Sequence, residues 1–392
     1  MYRVGEEEVQ GVGRVLRSGN LFRYQPDGQC VRFEKRFAEM LGVEHATLTA
    51  SGTSALTAGL ASLEIGPGDE VIVPAHTYMA TAVAVLAVGA IPVIVDIDES
   101  LTLCPDALEE AIGPRTRAVI PVHMWGLPCD MGRIMAIAKA RKLWVVEDAC
   151  QAMGGGFEGQ LLGSIGHVGA FSFNHFKILS SGEGGVVVTH DEHAARVIRC
   201  MTDCCSFFWN GRDGDLQPFA AAGSRASEID GAILHAQLDR LDGILADLRR
   251  NKRHMLKALE AVPGDVRPNP CRSPEHECAT HLHLLFPSEG EAQQVAKAME
   301  VNIAANTGRH TYHHWTPILE RRAGHHPSMN PFTWPANQQC RMDYHAQMCP
   351  RSLEILGRTV MIPNHPDNTE AQSQAWIDRL REAVQAATSV AK

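Results

Sequence analysis

From about residue 45 to 190 the chain alternates between short apolar runs and stretches of helical spacing. "HATLTA" has strand character, and "SGTSALTAGLASL" then repeats its apolar positions at helical intervals. "DEVIVPA", "IPVIVDID", "TRAVIPVH" and "LWVVEDA" read as further strands, with "YMATAVAVLAVG", "CPDALEEAIG" and "MGRIMAIAKARK" as the helices between them. "VGAFSFN" and "GGVVVTH" complete the set. Such alternation implies right-handed crossovers and a mainly parallel sheet with helices on both faces. The strands are continuously apolar, as strands buried on both sides must be.

After about residue 230 the texture changes. "SEIDGAILHAQLDRLDGILADLRRNKRHMLKALEAV" reads as a long helix, straight or kinked, ending near Pro263. "THLHLLFP" is a strand, "GEAQQVAKAMEV" a helix, "RSLEILGRTVMIP" a helix and strand, and "TEAQSQAWIDRLREAVQAA" a terminal helix. The expected organisation is a large α/β domain over residues 1–240, including the N-terminal segment, and a smaller C-terminal α+β domain over 241–392. Residues 306–350, rich in Pro, Asn, His and aromatics, read as a long functional loop.

Composition removes several function classes. With 45% apolar and 21% charged residues, the chain has enough apolar side chain for a sizeable core. The net charge is -9 and no basic run follows a phosphate backbone, so nucleic acid is not an expected partner. "TAVAVLAVGAIPVIVDID" is broken by Gly89 and Pro92, which makes it a helix and a buried strand, not a membrane span. "MYRVGEEEVQ" lacks the apolar centre of a signal peptide. Eleven cysteines, including the adjacent Cys204 and Cys205, then read as reduced thiols in the cytoplasm. The 19 histidines crowd in "RHTYHHWTPILERRAGHHP", but their spacing fits no structural zinc pattern, and no metal is expected.

Three stretches carry chemistry. In "TASGTSALTAGL" a strand ends, Ser51, Gly52, Thr53 and Ser54 turn, and a helix begins. Unpaired amides and short hydroxyls there form a phosphate site, or a plain helix N-cap. In "LWVVEDACQA" Asp148 closes a buried strand, with Gln151 one turn on. A carboxylate at that sheet edge holds a pyridine nitrogen protonated, or caps the next helix. In "FSFNHFKILSSGEGGVVVT" a single lysine, Lys177, follows Asp148 by 29 residues. A lysine amine forms a Schiff base with an aldehyde cofactor, and pyridoxal phosphate needs that lysine, an acid and a phosphate cradle. Ser172 is a further phosphate ligand or a buried hydroxyl, and Tyr78 a ring-stacking or a core aromatic.

"SGTSAL", "VIVPAHTYMATAVAVLAVGAIPVIVDID", "VHMWGLPCDM", "VVEDACQA" and "FSFNHFKILSSGEGGVVVT" together resemble the sugar aminotransferases of the DegT/DnrJ/EryC1/StrS family. The resemblance covers most of residues 5 to 260 and is weaker beyond. It implies a fold-type I aminotransferase that uses pyridoxal phosphate, usually as a homodimer with active sites at the interface. It makes Lys177 the aldimine lysine, Asp148 the pyridinium partner, Tyr78 the stacking aromatic and Gln151 the neighbour of the ring hydroxyl. Gly52, Thr53, Ser54 and Ser172 hold the phosphate, and the glycines at 182 to 185 form a tight turn. Lysine at 177 argues against the dehydratase branch, where histidine replaces it; His175 is two residues off register. One departure stands out. Arg225 and Glu228 align with the family pattern, but Gly223 falls where an Asn normally reaches the partner's phosphate.

"SGNLFRYQ" and the tail "HHWTPIL…GHHPSMNPF…CPRSLEILGRTVMIP" are similar to a subgroup that includes 8-amino-3,8-dideoxy-manno-octulosonate transaminases. That implies glutamate as donor and the C8 aldehyde of 3-deoxy-manno-octulosonate as acceptor, in lipopolysaccharide synthesis. Arg23, Arg225, Arg309 and Arg341 are then candidates for pairing with carboxylates, and His310, Tyr312 and His313 for lining the sugar pocket. The alternatives are a nucleotide-linked keto sugar, an inosose, or a non-catalytic regulator of the same fold that binds a sugar or the cofactor. A plain nucleotide-binding α/β protein is disfavoured, because no G-x-G-x-x-G follows the first strand.

Overall fold

The computed structural model describes residues 3–203, 205–206, 208 and 216–390; Cys204 lies outside the described residues. Two helices, α1 (Glu6–Ser18) and α2 (Gln29–Leu41), precede the first strand, β1 (His45–Thr49). The alternation then runs α3 (Gly52–Ser62), β2 (Glu70–Pro74), α4 (Ala80–Ala87), β3 (Ile91–Val95), α5 (Pro105–Ala111), β4 (Thr116–Val119), α6 (Met131–Arg141) and β5 (Trp144–Asp148). A small hairpin, β6 (Gly156–Phe157) and β7 (Gln160–Leu161), leads to β8 (Val168–Ser172), β9 (Gly185–Thr189) and α7 (Glu192–Thr202).

These strands form one seven-stranded sheet in the order β1-β9-β8-β5-β4-β2-β3. Only β9 runs against the others, pairing antiparallel with both β1 and β8. The parallel ladder from β8 to β3 rests on crossover connections, which run through α4, α5 and α6 and, between β5 and β8, through the β6–β7 hairpin. Residues of β2, β8 and β9 are buried throughout, matching their continuous apolar sequence. One consequence fixes the site: the carboxyl ends of β1, β2, β5 and β8 and the start of β9 all lie on one sheet edge.

The stretch that leads to Lys177 is anchored from below by aromatics. Phe171 packs edge-on against Phe37 of α2 at 5.1 Å, and Phe173 against Phe33 at 5.5 Å. All four rings are fully buried, each contributing roughly 1.5–3 kcal/mol of burial.

The long helix expected after residue 227 is broken in two, Glu228–Leu238 and Leu241–Leu259. Ser227 and Asp230 form a capping box at its start. At the break, Arg240 turns to pair with Glu7 and Glu8 of α1. A second, antiparallel sheet follows, built from β10 (Arg267–Pro268), β11 (His281–Leu285), β12 (Asn302–Ile303) and β13 (Thr359–Pro363) in the order β10-β11-β13-β12. Leu282, Leu284, Val360 and Ile362 of this sheet form a core with Val295 and Leu380 from the helices Glu289–Met299 and Glu370–Val390.

Residues 306–350 hold only short helical turns, and four of them carry proline at their first or second position. The segment still packs onto the first sheet. Tyr312, Trp315, Ile318 and Phe332 bury against the cluster that contains Val71, Val73 and Ile91. The fully buried Asn337 side chain replaces a ladder: it donates to Gly89 O and Pro331 O and accepts from Gly68 N at 2.6 Å.

Candidate active site

The turn after β1 brings three strand ends together. Ser51 Oγ accepts from Ser54 N at 3.1 Å, so it caps α3 and leaves the Gly52 and Thr53 amides without carbonyl partners inside the helix. A Cβ on Gly52 would lie 2.8 Å from Cys150 Sγ and from Ser172 Cβ. A Cβ on Gly185 would lie 2.5 Å from the Ser51 carbonyl. Glycine at both positions lets β1, β5, β8 and β9 close on one point. Gly182 and Gly184 hold φ of 92° and 137°, which gives the turn between Lys177 and β9.

Asp148, at the end of β5, is buried and held by donors on both oxygens. Cys150 N donates to Oδ1 at 3.1 Å, and Thr81 Oγ1 to Oδ2 at 2.7 Å. Thr81 has spent its proton, so Thr77 donates to Thr81 at 2.6 Å, making a short hydroxyl chain that ends on the carboxylate. Gln151 Oε1 accepts from Trp125 N at 3.1 Å, and the amide nitrogen of Gln151 has no acceptor among the described residues.

Lys177 sits in the loop between β8 and β9, its backbone N–H bonded to Asn174 O at 3.0 Å. Burial holds its amine below the usual 10.5; Cys150 and Asp148 oppose that effect, and Arg309 adds to it. Burial, and next the charge of Asp148, push the Cys150 thiol far above the ordinary value, so it is an inert wall of the site.

Two connected hollows meet at Lys177. The inner one, about 200 Å³, is lined by Ser51, Gly52, Thr53, Thr77, Asp148 and Ser172 among others. The outer one, about 400 Å³, is lined by Trp125, Phe176, Thr280, His281, Arg309 and His310. Tyr78, Cys150, Gln151, Asn174, Lys177 and Glu183 border both. Lys177 and Asp148 therefore both line the inner hollow. Ser54, whose hydroxyl pairs with Ser51 Oγ at 2.8 Å, lines neither hollow.

The arginines divide. Arg309 lies over the Tyr78 ring at 5.4 Å in the outer hollow and makes no ion pair among the described residues. Arg23 lies outside both hollows in this chain, buried, pairing with Glu34 at 2.6 Å and donating to Leu48 O. Arg225 pairs with Asp203 at 2.9 Å and covers the Phe22 ring. Arg341 pairs with Glu70 at 2.6 Å. Tyr312 is fully buried, its hydroxyl donating to Ala346 O and accepting from Cys349 N. It lines neither hollow, because the loop 306–350 turns its ring into the core. His313 stacks on His314 at 3.8 Å, also outside the hollows. Gly223 sits at φ 75° beside Ser224, whose N–H donates to Thr202 O. Glu228 accepts from the Gln29 and Cys30 amides at the start of α2.

Thr77, Thr81, Trp125, Thr280 and His281 are the lining and supporting residues that sequence reading passes over. Thr77 and Thr81 flank Tyr78 at intervals that carry no motif. Thr280 immediately precedes β11 and His281 begins it, so both reach the hollow only through the docking of the second sheet. Among the described residues no group of three His, Cys, Asp or Glu side chains is placed to hold a metal, and no helix is long and apolar enough to cross a membrane.

The sequence profile of the DegT/DnrJ/EryC1/StrS aminotransferase family matches residues 3–381. The spore coat polysaccharide biosynthesis protein SpsC of Bacillus subtilis is 32% identical over 392 residues, covering 98% of this chain and 96% of its own length. The UDP-N-acetyl-3-dehydro-alpha-D-glucosamine 3-aminotransferase of Acidithiobacillus ferrooxidans is 43% identical over 60% of this chain and 62% of its own. The crystal structure of S. venezuelae DesV in complex with a ketimine intermediate superposes with a TM-score of 0.78 at 30% identity, covering 97% of this chain and 95% of that one.

Proposed function

We propose, for a chain that belongs to the DegT/DnrJ/EryC1/StrS aminotransferase family, that it moves an amino group from L-glutamate to the C8 aldehyde of 3-deoxy-manno-octulosonate. At the coarser level the chain is a pyridoxal-phosphate-dependent sugar aminotransferase. The observation that carries the reading is the shared cavity of Lys177 and Asp148.

The inner hollow fits pyridoxal phosphate by its donor set. It offers an amine, a buried carboxylate with both oxygens anchored, two amides at a helix start without intrahelical partners, and hydroxyls from Thr53 and Ser172. In this reading Gly52, Thr53 and Ser172 hold the phosphate, where the α3 amides and helix dipole favour negative charge. Asp148 holds the proton on the ring nitrogen, and Thr81 and Cys150 N keep its carboxylate aimed. The amide nitrogen of Gln151 donates to the ring oxygen, and Tyr78 covers the ring face. Bound there, the cofactor supplies a carbonyl that carries the amino group and a ring that takes up electron density from the donor's Cα. Lys177 Nζ, neutral more readily than an exposed lysine, takes the Cα proton of the donor and would return it to the carbonyl carbon that the bound cofactor supplies, on the far side of the transferred nitrogen. The same amine runs the steps in reverse when the carbonyl sugar arrives.

Arg309, which has no ion-pair partner among the described residues, meets a carboxylate of the donor or of the sugar acid. Phe176, 75% exposed beside Lys177, gives the mouth an apolar surface that a second copy of the chain covers in a homodimer. A second reading, amination of a nucleotide-linked keto sugar, draws on the relative named for a UDP-linked acceptor.

The test is direct. The purified protein loaded with pyridoxal phosphate is yellow, borohydride fixes the colour to the chain, and Lys177→Ala loses that adduct. A panel of carbonyl sugars with glutamate then separates the acceptors. A protein that stays colourless with the cofactor overturns the reading.

A further inference from the structure

Trp125 is a bulky residue held at φ 55° and ψ 22°, a left-handed backbone that such side chains avoid. Two side chains from distant elements keep it there. Gln151, after β5, accepts its N–H at 3.1 Å, and Thr280, before β11, donates to its carbonyl at 2.8 Å. Strain that surroundings over-determine marks a place where geometry matters. Two rings of the outer hollow rest on this indole: His281, with centroids 4.9 Å apart, and His310, at 5.0 Å.

The hydrogen bonds fix the tautomer of each imidazole. Thr280 gives its only hydroxyl proton to Trp125 O, so at 3.1 Å its oxygen accepts from His281 Nδ1. His281 is therefore protonated on Nδ1. His310 Nδ1 lies 3.3 Å from Thr307 O, and a carbonyl only accepts, so Nδ1 again carries the proton. Burial holds both rings neutral, pulling each down to about 4; nearby Lys252 adds to this at His281, and Lys177 and Arg309 at His310. Both Nε2 atoms are thus bare lone pairs. Neither has a hydrogen-bond partner among the described residues, and neither is shut off as a buried unpaired atom. Of the other polar groups that line this hollow, Arg309 and the Gln151 amide nitrogen donate, while the Glu183 carboxylate accepts and Asn174 Oδ1 already accepts from Phe176 N.

We infer that His281 and His310, seated on Trp125, form a hydroxyl-reading subsite that selects a polyhydroxylated acceptor by accepting two of its O–H groups. The inference rests on the sugar-aminotransferase reading and adds which side chains choose the sugar. Lone-pair acceptors suit O–H donors and repel phosphate or carboxylate oxygens, so the anionic part of a substrate lies toward Arg309 instead. A site built to pair with a hydroxyl discriminates strongly against the analogue that lacks it.

The experiment uses the cofactor-loaded enzyme and calorimetric binding of sugars that carry no reactive aldehyde: 3-deoxy-manno-octulosonate with C8 as the alcohol in place of the aldehyde, UDP-N-acetylglucosamine and scyllo-inositol, each with its single-deoxy analogues. At least one parent sugar binds wild type at least about tenfold tighter than one of its deoxy analogues. In His281→Phe or His310→Phe that preference falls to within about twofold, because variant and analogue delete the same bond. His281→Gln and His310→Gln, which restore an acceptor oxygen, recover part of it. A preference that survives both Phe variants overturns the inference, as does wild-type binding that ignores every hydroxyl, or no binding of any parent. Pyridoxal phosphate binding and amino transfer from glutamate in wild type are read separately. Their failure sinks the enzyme reading, whereas their success with unchanged discrimination sinks only the subsite.

Discussion

Thr81 Oγ1 donates to Asp148 Oδ2 at 2.7 Å, tying the first turn of α4 to the end of β5 across the sheet edge. Thr77 extends the chain by one hydroxyl, and each link polarises the next. Thr81→Val removes the one hydrogen bond that Oδ2 accepts among the described residues while keeping the shape. Hydrogen bonds to charged groups contribute roughly 1.5–3 kcal/mol, so cofactor affinity falls about ten- to a hundredfold. A spectral titration of the variant with pyridoxal phosphate measures it; unchanged affinity removes Thr81 from the site.

Lys177 carries a lowered amine pKa whose first cause is burial. The charged form is the one the fold penalises. In the cofactor-free protein the unfolded chain therefore binds the extra proton between the lowered value and 10.5, and stability rises with pH in that window. Below the window, the charged amine costs stability in full. Lys177→Met escapes that cost, so its advantage over wild type shrinks as pH rises toward 10.5. Denaturant midpoints of both proteins across that range test the sign.

Arg309 has no acid partner among the described residues, although it borders the outer hollow. Arg309→Gln should raise KM for a carboxylate-bearing substrate roughly ten- to a hundredfold, with a smaller change in kcat. Arg309→Lys restores only part, since an ammonium offers no planar fork. Equal KM in wild type and Arg309→Gln places the substrate carboxylate elsewhere.

Arg23 and Glu34 form an almost fully buried pair, with Glu34 also accepting from Leu48 N at 2.6 Å. Arg23→Met leaves that carboxylate without its cation. The expected loss is roughly 3–5 kcal/mol of folding stability, read from urea unfolding. A double variant, Arg23→Met with Glu34→Leu, should recover much of it, because a paired apolar replacement leaves no stranded charge.

Much of this molecule is readable from local pattern. The strand and helix alternation of residues 45–190 is there in the order of residues, and it forces a parallel sheet whose strand ends share an edge. Asp148 and Lys177 are legible for the same reason: each closes or follows a buried strand of that sheet. The second sheet is legible too, since THLHLLFP and TVMIP alternate with clear helices. Tyr312 and Arg225 show the opposite case. An aromatic in a loop and an arginine near a motif look alike in sequence whether they face a ligand or a neighbour. Only the packing of Tyr312 against Cys349 and of Arg225 against Asp203 distinguishes them. The break of the long helix at Asp239 has no Gly or Pro to announce it.

The order of residues by itself determined the sheet, the edge at which ligands collect, and the two side chains that meet there. That information is local, because periodicity and strand ends are set within a few residues. Tertiary packing alone decided which arginine of the hollow has no ion-pair partner among the described residues, which histidines reach the hollow, and in which tautomer each stands. Those facts depend on partners that lie far away in the chain and become neighbours only when the second sheet and the loop 306–350 close over the first.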